Sequence, residues 1–117
     1  MKKKKFKFNK LPVCHRYDTA SFTSQKDKII EEYQEFIEAF QNLLDNFCAD
    51  KQTEDDFRAM CYEAFDLSQA SQMFIHLACK GQPFGITESS IYKKKLKINK
   101  LRGYYEVDKY GKYKKAL

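Results

Sequence analysis

Two acidic patterns carry the chemistry this chain offers: Glu31-Glu32-x-x-Glu35 and, further on, Glu63-x-x-Asp66. Carboxylates three apart on a helix lie on one face, so each pattern sets a pair where a single cation can be gripped. Two such pairs facing each other make a site for a hard divalent metal, Mg²⁺ or Mn²⁺ in its place. The ligands read from the pattern are Glu32, Glu35, Glu63 and Asp66, with Glu35 or Glu31 left to act as the base on a metal-activated water. A third group, Lys95, Asn99 and Arg102, is spaced four and three apart. On a helix these three share a face, and a lysine point charge beside an arginine fork suits the oxygens of one polyphosphate.

The elements that must position these groups are helices. Ile29, Ile30, Tyr33, Phe36, Ile37, Phe40, Leu43, Leu44 and Phe47 recur at helical period, which predicts one long amphipathic helix over about residues 24 to 47. Thr53 as N-cap, Glu54, Asp55 and Asp56 at the positive end of the dipole, and Gly81 as the stop after Cys79 and Lys80 predict a second. The break, residues 49 to 52, is short enough to favour an antiparallel hairpin. At ~1.5 Å per residue, Glu35 and Glu63 stand roughly 23 and 20 Å from the turn, so the two acidic pairs meet at one level. A third helix begins at Thr87 as N-cap and ends before Gly103.

Placement around each helix sharpens the reading. On the first, Glu32 falls at the edge of the apolar face and Glu35 further round, while Glu31 and Glu38 face away. On the second, Phe57, Met60, Cys61, Ala64, Leu67, Phe74, Ile75 and Ala78 form a wide apolar face. Glu63 shares a stripe with Leu67, Ala70 and Phe74, Asp66 sits at the margin, and His76 falls on the polar side. Glutamate is a good helix former and most Glu-rich faces are simply solvated. Matched level, matched spacing and apolar neighbours set these four apart, because carboxylates in such surroundings cost several kcal/mol unless paired, protonated or metal-bound.

In this order and spacing the motifs resemble the MazG-like, all-α nucleoside triphosphate pyrophosphohydrolases, whose members include dimeric dUTPases, dCTP pyrophosphatases and phosphoribosyl-ATP pyrophosphohydrolases. The segments from Lys28 to Glu35 and from Glu63 to Ala70 are similar to the family's two metal-binding helices, and Lys95-x-x-x-Asn99-x-x-Arg102-Gly103-Tyr104 to its triphosphate-holding segment. The resemblance spans roughly residues 27 to 104. It implies an all-α helix bundle completed by oligomerisation, as a homodimer or homotetramer. It also implies hydrolysis of a nucleoside triphosphate at the α-phosphorus, giving monophosphate and pyrophosphate. The 27 residues between the two acidic motifs are at the long end for the family and leave the substrate open.

The remaining composition agrees with a small helical protein. With 117 residues, 43% of them hydrophobic and 15% aromatic, one domain with a modest core is expected. It divides into a basic segment over residues 1–22, a helical domain over 23–104 and a Lys/Tyr-rich tail over 105–117. The apolar face of the second helix is wider than one hairpin partner covers, which independently predicts a helix-bundle oligomer. Cys14, Cys48, Cys61 and Cys79 show no metal-ligand spacing, and Cys61 and Cys79 read as core residues. Without an apolar leader or a membrane-length run, the expected setting is a reducing cytoplasm, and the Lys/Asn/Tyr bias suits a phage or low-GC bacterium.

No Glu-x-x-His, P-loop, glycine-rich dinucleotide turn or nucleophile elbow occurs. Tyr17 and Phe22 are candidates for a base pocket, and His15 lies in an irregular stretch. The net charge of +6 gathers at the ends, with lysines interleaved by Tyr104, Tyr105, Tyr110 and Tyr113 around an acidic middle. That pattern keeps open a secondary role in holding single-stranded nucleic acid. The competing class is a non-catalytic helical interaction protein.

Overall fold

The structure is a computed structural model that describes residues 21–106 and 108–112. Among these residues it is all-helical, with three helices and no strand: α1 (Phe22–Cys48), α2 (Glu54–Gly81) and α3 (Glu88–Leu101). The basic segment before residue 21, with Cys14, His15 and Tyr17, and the residues after 112 lie outside the described ones.

Ser21 rather than Ser24 starts α1, its hydroxyl accepting the Ser24 N–H at 3.1 Å while its carbonyl accepts the Gln25 N–H at 3.0 Å. The helix therefore begins about one turn earlier than its apolar period indicates, because a polar first turn carries no periodic signal. At the other end Asp50 takes a left-handed conformation, φ 56°. Its N–H donates to the Phe47 carbonyl at 3.1 Å and the Lys51 N–H to that of Asn46 at 3.0 Å, which closes a Schellman motif. The chain then re-enters at Thr53, whose carbonyl accepts the Phe57 N–H at 2.9 Å.

α1 and α2 are antiparallel, as two side-chain bonds near opposite ends of the pair establish. The buried amide of Gln25 donates to the Ala70 carbonyl at 3.1 Å, and the Asn46 amide to the Asp56 carboxylate at 2.8 Å near the turn. Phe22 meets Phe74 edge to face, with centroids 6.1 Å apart. Among the described residues the buried apolar ones are Ala70, Met73 and Leu77 on α2, joined by the polar Gln25 and Glu32 on α1.

The uncovered flank of α1 is the counterpart of that thin core. Ile30, Tyr33, Ile37, Phe40, Leu44 and Phe47 are 42–71% exposed and repeat at three and four residues, the spacing of a helix-packing seam. On α2, Phe57 and Cys61 are also exposed, so the expected core role of Cys61 does not hold within a single chain; Cys79 is half-buried. The reason is local: α1 takes the α2 stripe that includes Glu63, Leu67 and Ala70, and Cys61 lies well round from it. His76, expected in solvent, is half-buried.

The chain divides into two compact units, with the boundary between Gly81 and Gln82. The helical span expected over 23–104 therefore comprises the hairpin and, as a separate unit, α3 with the residues that follow it. Thr87 caps α3, its hydroxyl accepting the Ser90 N–H at 3.2 Å, and Gly103 (φ 76°) closes a second Schellman motif through bonds to the Lys100 and Asn99 carbonyls. No helix among the described residues is long and apolar enough to cross a membrane.

Candidate metal centre

Antiparallel pairing brings the two acidic motifs to one level of the hairpin. Glu32 is on the flank of α1 that meets α2, and Glu63 is on the α2 stripe that meets α1; Asp66 is one turn further along the same helix. One carboxylate oxygen from each of Glu32, Glu63 and Asp66 lies within 4.8 Å of the other two. Glu32 is buried, Glu63 half-buried and Asp66 exposed, so the cluster opens from the helix interface to solvent.

The hydrogen bonding of the cluster is incomplete. Lys28, one turn before Glu32, places its ammonium 3.0 Å from one Glu32 oxygen and 3.5 Å from Glu31. The second oxygen of Glu32 and one oxygen of Glu63 are buried with no hydrogen-bond partner. A buried acceptor left unsatisfied costs about 1–3 kcal/mol, more when it carries charge. Two such acceptors beside a third carboxylate are hard oxygen donors of the kind that would suit one divalent cation. The donor chemistry therefore fits Mg²⁺ or Mn²⁺ better than a metal that favours nitrogen or sulfur.

Glu35 is exposed and does not belong to the trio whose oxygens converge. It is nevertheless tied to them electrostatically. Its carboxyl titrates above the ordinary carboxylate value, chiefly through the negative charge of Glu32, then through partial loss of solvent, a hydrogen bond shared with Glu32, and the charges of Glu63 and Glu31. Glu31 is exposed and faces Lys28. The sequence-derived acidic set thus divides into three converging carboxylates, one protonatable neighbour and one outer residue.

A cleft of about 220 Å³ adjoins this cluster, lined by Gln25, Lys28, Glu32, Asp66, Gln69, Ala70 and Met73. Its walls combine an apolar floor, two amides, one ammonium and two carboxylates, which is the mixed lining of a small polar-ligand site. Sequence reasoning missed Gln25 and Gln69 as lining residues. Lys28 was legible as the basic residue four before Glu32, whereas isolated glutamines on polar stretches give no signal.

Lys95, Asn99 and Arg102 belong to the second unit. Lys95 and Arg102 are exposed; Asn99 is half-buried, its amide donating to the Tyr105 hydroxyl at 3.4 Å and its carbonyl oxygen buried without a partner. The Arg102 and Gly103 backbone closes the end of α3, so the three side chains stand on one face of its last two turns. No family model, no curated protein and no solved structure matches this chain.

Proposed function

We propose that the protein is a metal-dependent nucleoside triphosphate pyrophosphohydrolase that converts a ribo- or deoxynucleoside triphosphate and water into the monophosphate and pyrophosphate. The observation that carries this reading is the convergence of Glu32, Glu63 and Asp66 with two buried carboxylate oxygens lacking partners. Bound there, Mg²⁺ or Mn²⁺ supplies charge neutralisation for the triphosphate and lowers the pKa of a coordinated water.

The chain's own groups have separable tasks. Glu32, Glu63 and Asp66 hold the cation. The Lys28 ammonium engages one Glu32 oxygen and leaves the other for the metal. Glu35 is the general base: its raised pKa brings its carboxylate closer to the basicity that such a role needs, and it takes the proton from the attacking water. The hydroxyl so formed adds to the α-phosphorus in line with the departing pyrophosphate. Glu31 remains a second acidic residue at the margin, while the phosphate-holding role expected for Lys95, Asn99 and Arg102 falls on the separate unit that begins at Gln82. Turnover of wild type beside Glu35→Gln and Asp66→Asn tests the assignment. Loss of at least about a hundredfold in both with an unchanged circular-dichroism spectrum is expected from removing a base or a ligand, and full activity in both removes the site.

The bundle, in this reading, is completed by a second copy. The α1 stripe from Ile30 to Phe47 leaves six large apolar side chains 42–71% exposed in one row, the kind of contiguous apolar patch that marks an interaction surface. Gln34 and Gln41 flank the stripe, with no charged side chain within it. At about 100° per residue Glu35 lies nearly opposite the stripe on α1, so pairing through it leaves the acidic cleft open to substrate.

A further inference from the structure

The unit that begins at Gln82 has a surface the hydrolase reading does not use. Residues 82–112 hold eight Lys or Arg against three Asp or Glu, while the hairpin over 21–81 holds five against twelve. On α3, Lys93, Lys97 and Lys100 recur at four and three residues along one exposed face, with Lys94 beside them. Lys93, Lys94, Lys97 and Lys109 have no carboxylate partner among the described residues.

Two exposed tyrosines follow this basic row. Behind Gly103, the Tyr104 N–H is fixed by the Asn99 carbonyl at 3.0 Å, and the Tyr104 side chain stands 66% exposed next to Leu101 at 80%. A second ring, Tyr110, is held 64% exposed by the turn over 108–112. In that turn the Asp108 carboxylate accepts the backbone N–H groups of Tyr110 and Lys112 at 2.8 and 3.0 Å, and Gly111 adopts φ 79°. The Lys100 ammonium donates to the Gly111 carbonyl at 3.3 Å, which fastens the turn to the end of α3. Lys109 sits 5.1 Å from the centre of the Tyr110 ring.

We propose that this unit binds single-stranded nucleic acid, with Lys93, Lys94, Lys97 and Lys109 along the phosphates and Tyr104 and Tyr110 stacking on bases. Exposed rings on a fixed backbone, each beside a cationic row, supply the two components of strand binding without sequence readout: charge along the backbone and flat surfaces for unstacked bases. A duplex offers no free base face to those rings. An anionic membrane is a poorer match, because the lysine face of α3 continues toward the helix start through Ser89 and Ser90 rather than through an apolar stripe.

The test is fluorescence anisotropy of the full chain with labelled oligothymidylate and oligoadenylate carrying no triphosphate, at low and at physiological salt. Inorganic polyphosphate, duplex DNA and phosphatidylserine vesicles serve as competitors. Binding that weakens at least about tenfold with added salt is expected, as is a further loss of about tenfold when Tyr104 and Tyr110 are both changed to Ala. Tyr104→Phe with Tyr110→Phe restores the affinity. Lys93→Ala with Lys97→Ala lowers the salt dependence, and Glu63→Gln leaves strand binding intact, which separates this surface from the metal centre. No strand binding overturns the proposal. Tyrosine variants that bind as well as wild type, polyphosphate competing as well as oligonucleotide, or vesicles competing better would assign the surface to charge alone or to a membrane.

Discussion

Glu32 on α1 and Glu63 on α2 each direct into the same helix interface a carboxylate oxygen that is buried and has no hydrogen-bond partner. Natural cores seldom retain such groups without a ligand, since each lowers stability in the absence of one. Under the proposed metal-binding role, the pair would lower the stability of the free protein and favour the metal-bound one.

That dual character gives the first prediction. Glu63→Gln keeps the shape and removes one charge, so the metal-free protein should gain on the order of 1 kcal/mol in stability. The same variant should lose the rise in thermal midpoint that Mg²⁺ or Mn²⁺ gives wild type, because a ligand bound only by the folded state must raise it. Opposite signs in one calorimetric experiment mark a metal ligand. A variant that destabilises the free protein and still responds to metal contradicts the role.

Glu35 sets a pH dependence. Its folded-state pKa is raised, so its contribution to stability is fully present below the ordinary carboxylate value and is lost as pH rises through the raised one. The metal-free thermal midpoint of wild type should fall as pH climbs from the ordinary carboxylate value, near 4.5, through that raised value. Glu35→Gln should flatten this part of the profile, and saturating metal should oppose the fall, since the ligands bind it deprotonated. Superimposable profiles for wild type and variant would exclude Glu35 as the responding group.

Most of the fold was legible in the sequence, and so was part of the centre. Helical period located α1 and α2, and the cap residues Thr87 and Gly103 bounded α3 to the residue, because turn chemistry at those positions is local. Near-equal distances from the hairpin turn set Glu35 level with Glu63, one rise per residue on both sides, whereas the residue that converges with Glu63 and Asp66 is Glu32, three positions further from the turn. Burial was harder to read. Cys61 lies on an apolar stripe, but which stripe α1 would take depends on the pairing geometry of two long helices rather than on either alone. The division at Gly81 coincides with Gly81, Pro83 and a change from a net-acidic to a net-basic stretch, but none of these says that the two parts pack separately, and Gln25, which bonds the Ala70 carbonyl, resembles any other helix-surface glutamine.

The α1 stripe predicts association. Light scattering behind gel filtration should return a mass at least twice that of one chain, and Ile37→Glu or Phe40→Glu, placed at the middle of the stripe, should shift it toward the monomer and lower the thermal midpoint. A wild-type monomer at micromolar concentration contradicts completion of the bundle by a second copy.

Asp50 offers a check on the hairpin turn. It holds φ 56° at the C-terminal cap of α1, a conformation glycine adopts without a steric penalty. Asp50→Gly should be neutral or stabilising by up to about 1 kcal/mol, whereas Asp50→Val, β-branched in the same conformation, should destabilise by about 1–2 kcal/mol. Chemical denaturation read at the midpoint decides it, and equal stability of the two variants would contradict the cap.

The most direct measurement of the central claim is product analysis of purified protein with Mg²⁺ and each common ribo- and deoxynucleoside triphosphate in turn, with EDTA as control. Metal-dependent release of a nucleoside monophosphate with an equal amount of pyrophosphate is the predicted result, and it names the preferred base at the same time. Diphosphate with inorganic phosphate, or no turnover of any nucleotide while the protein remains folded, contradicts the pyrophosphohydrolase assignment.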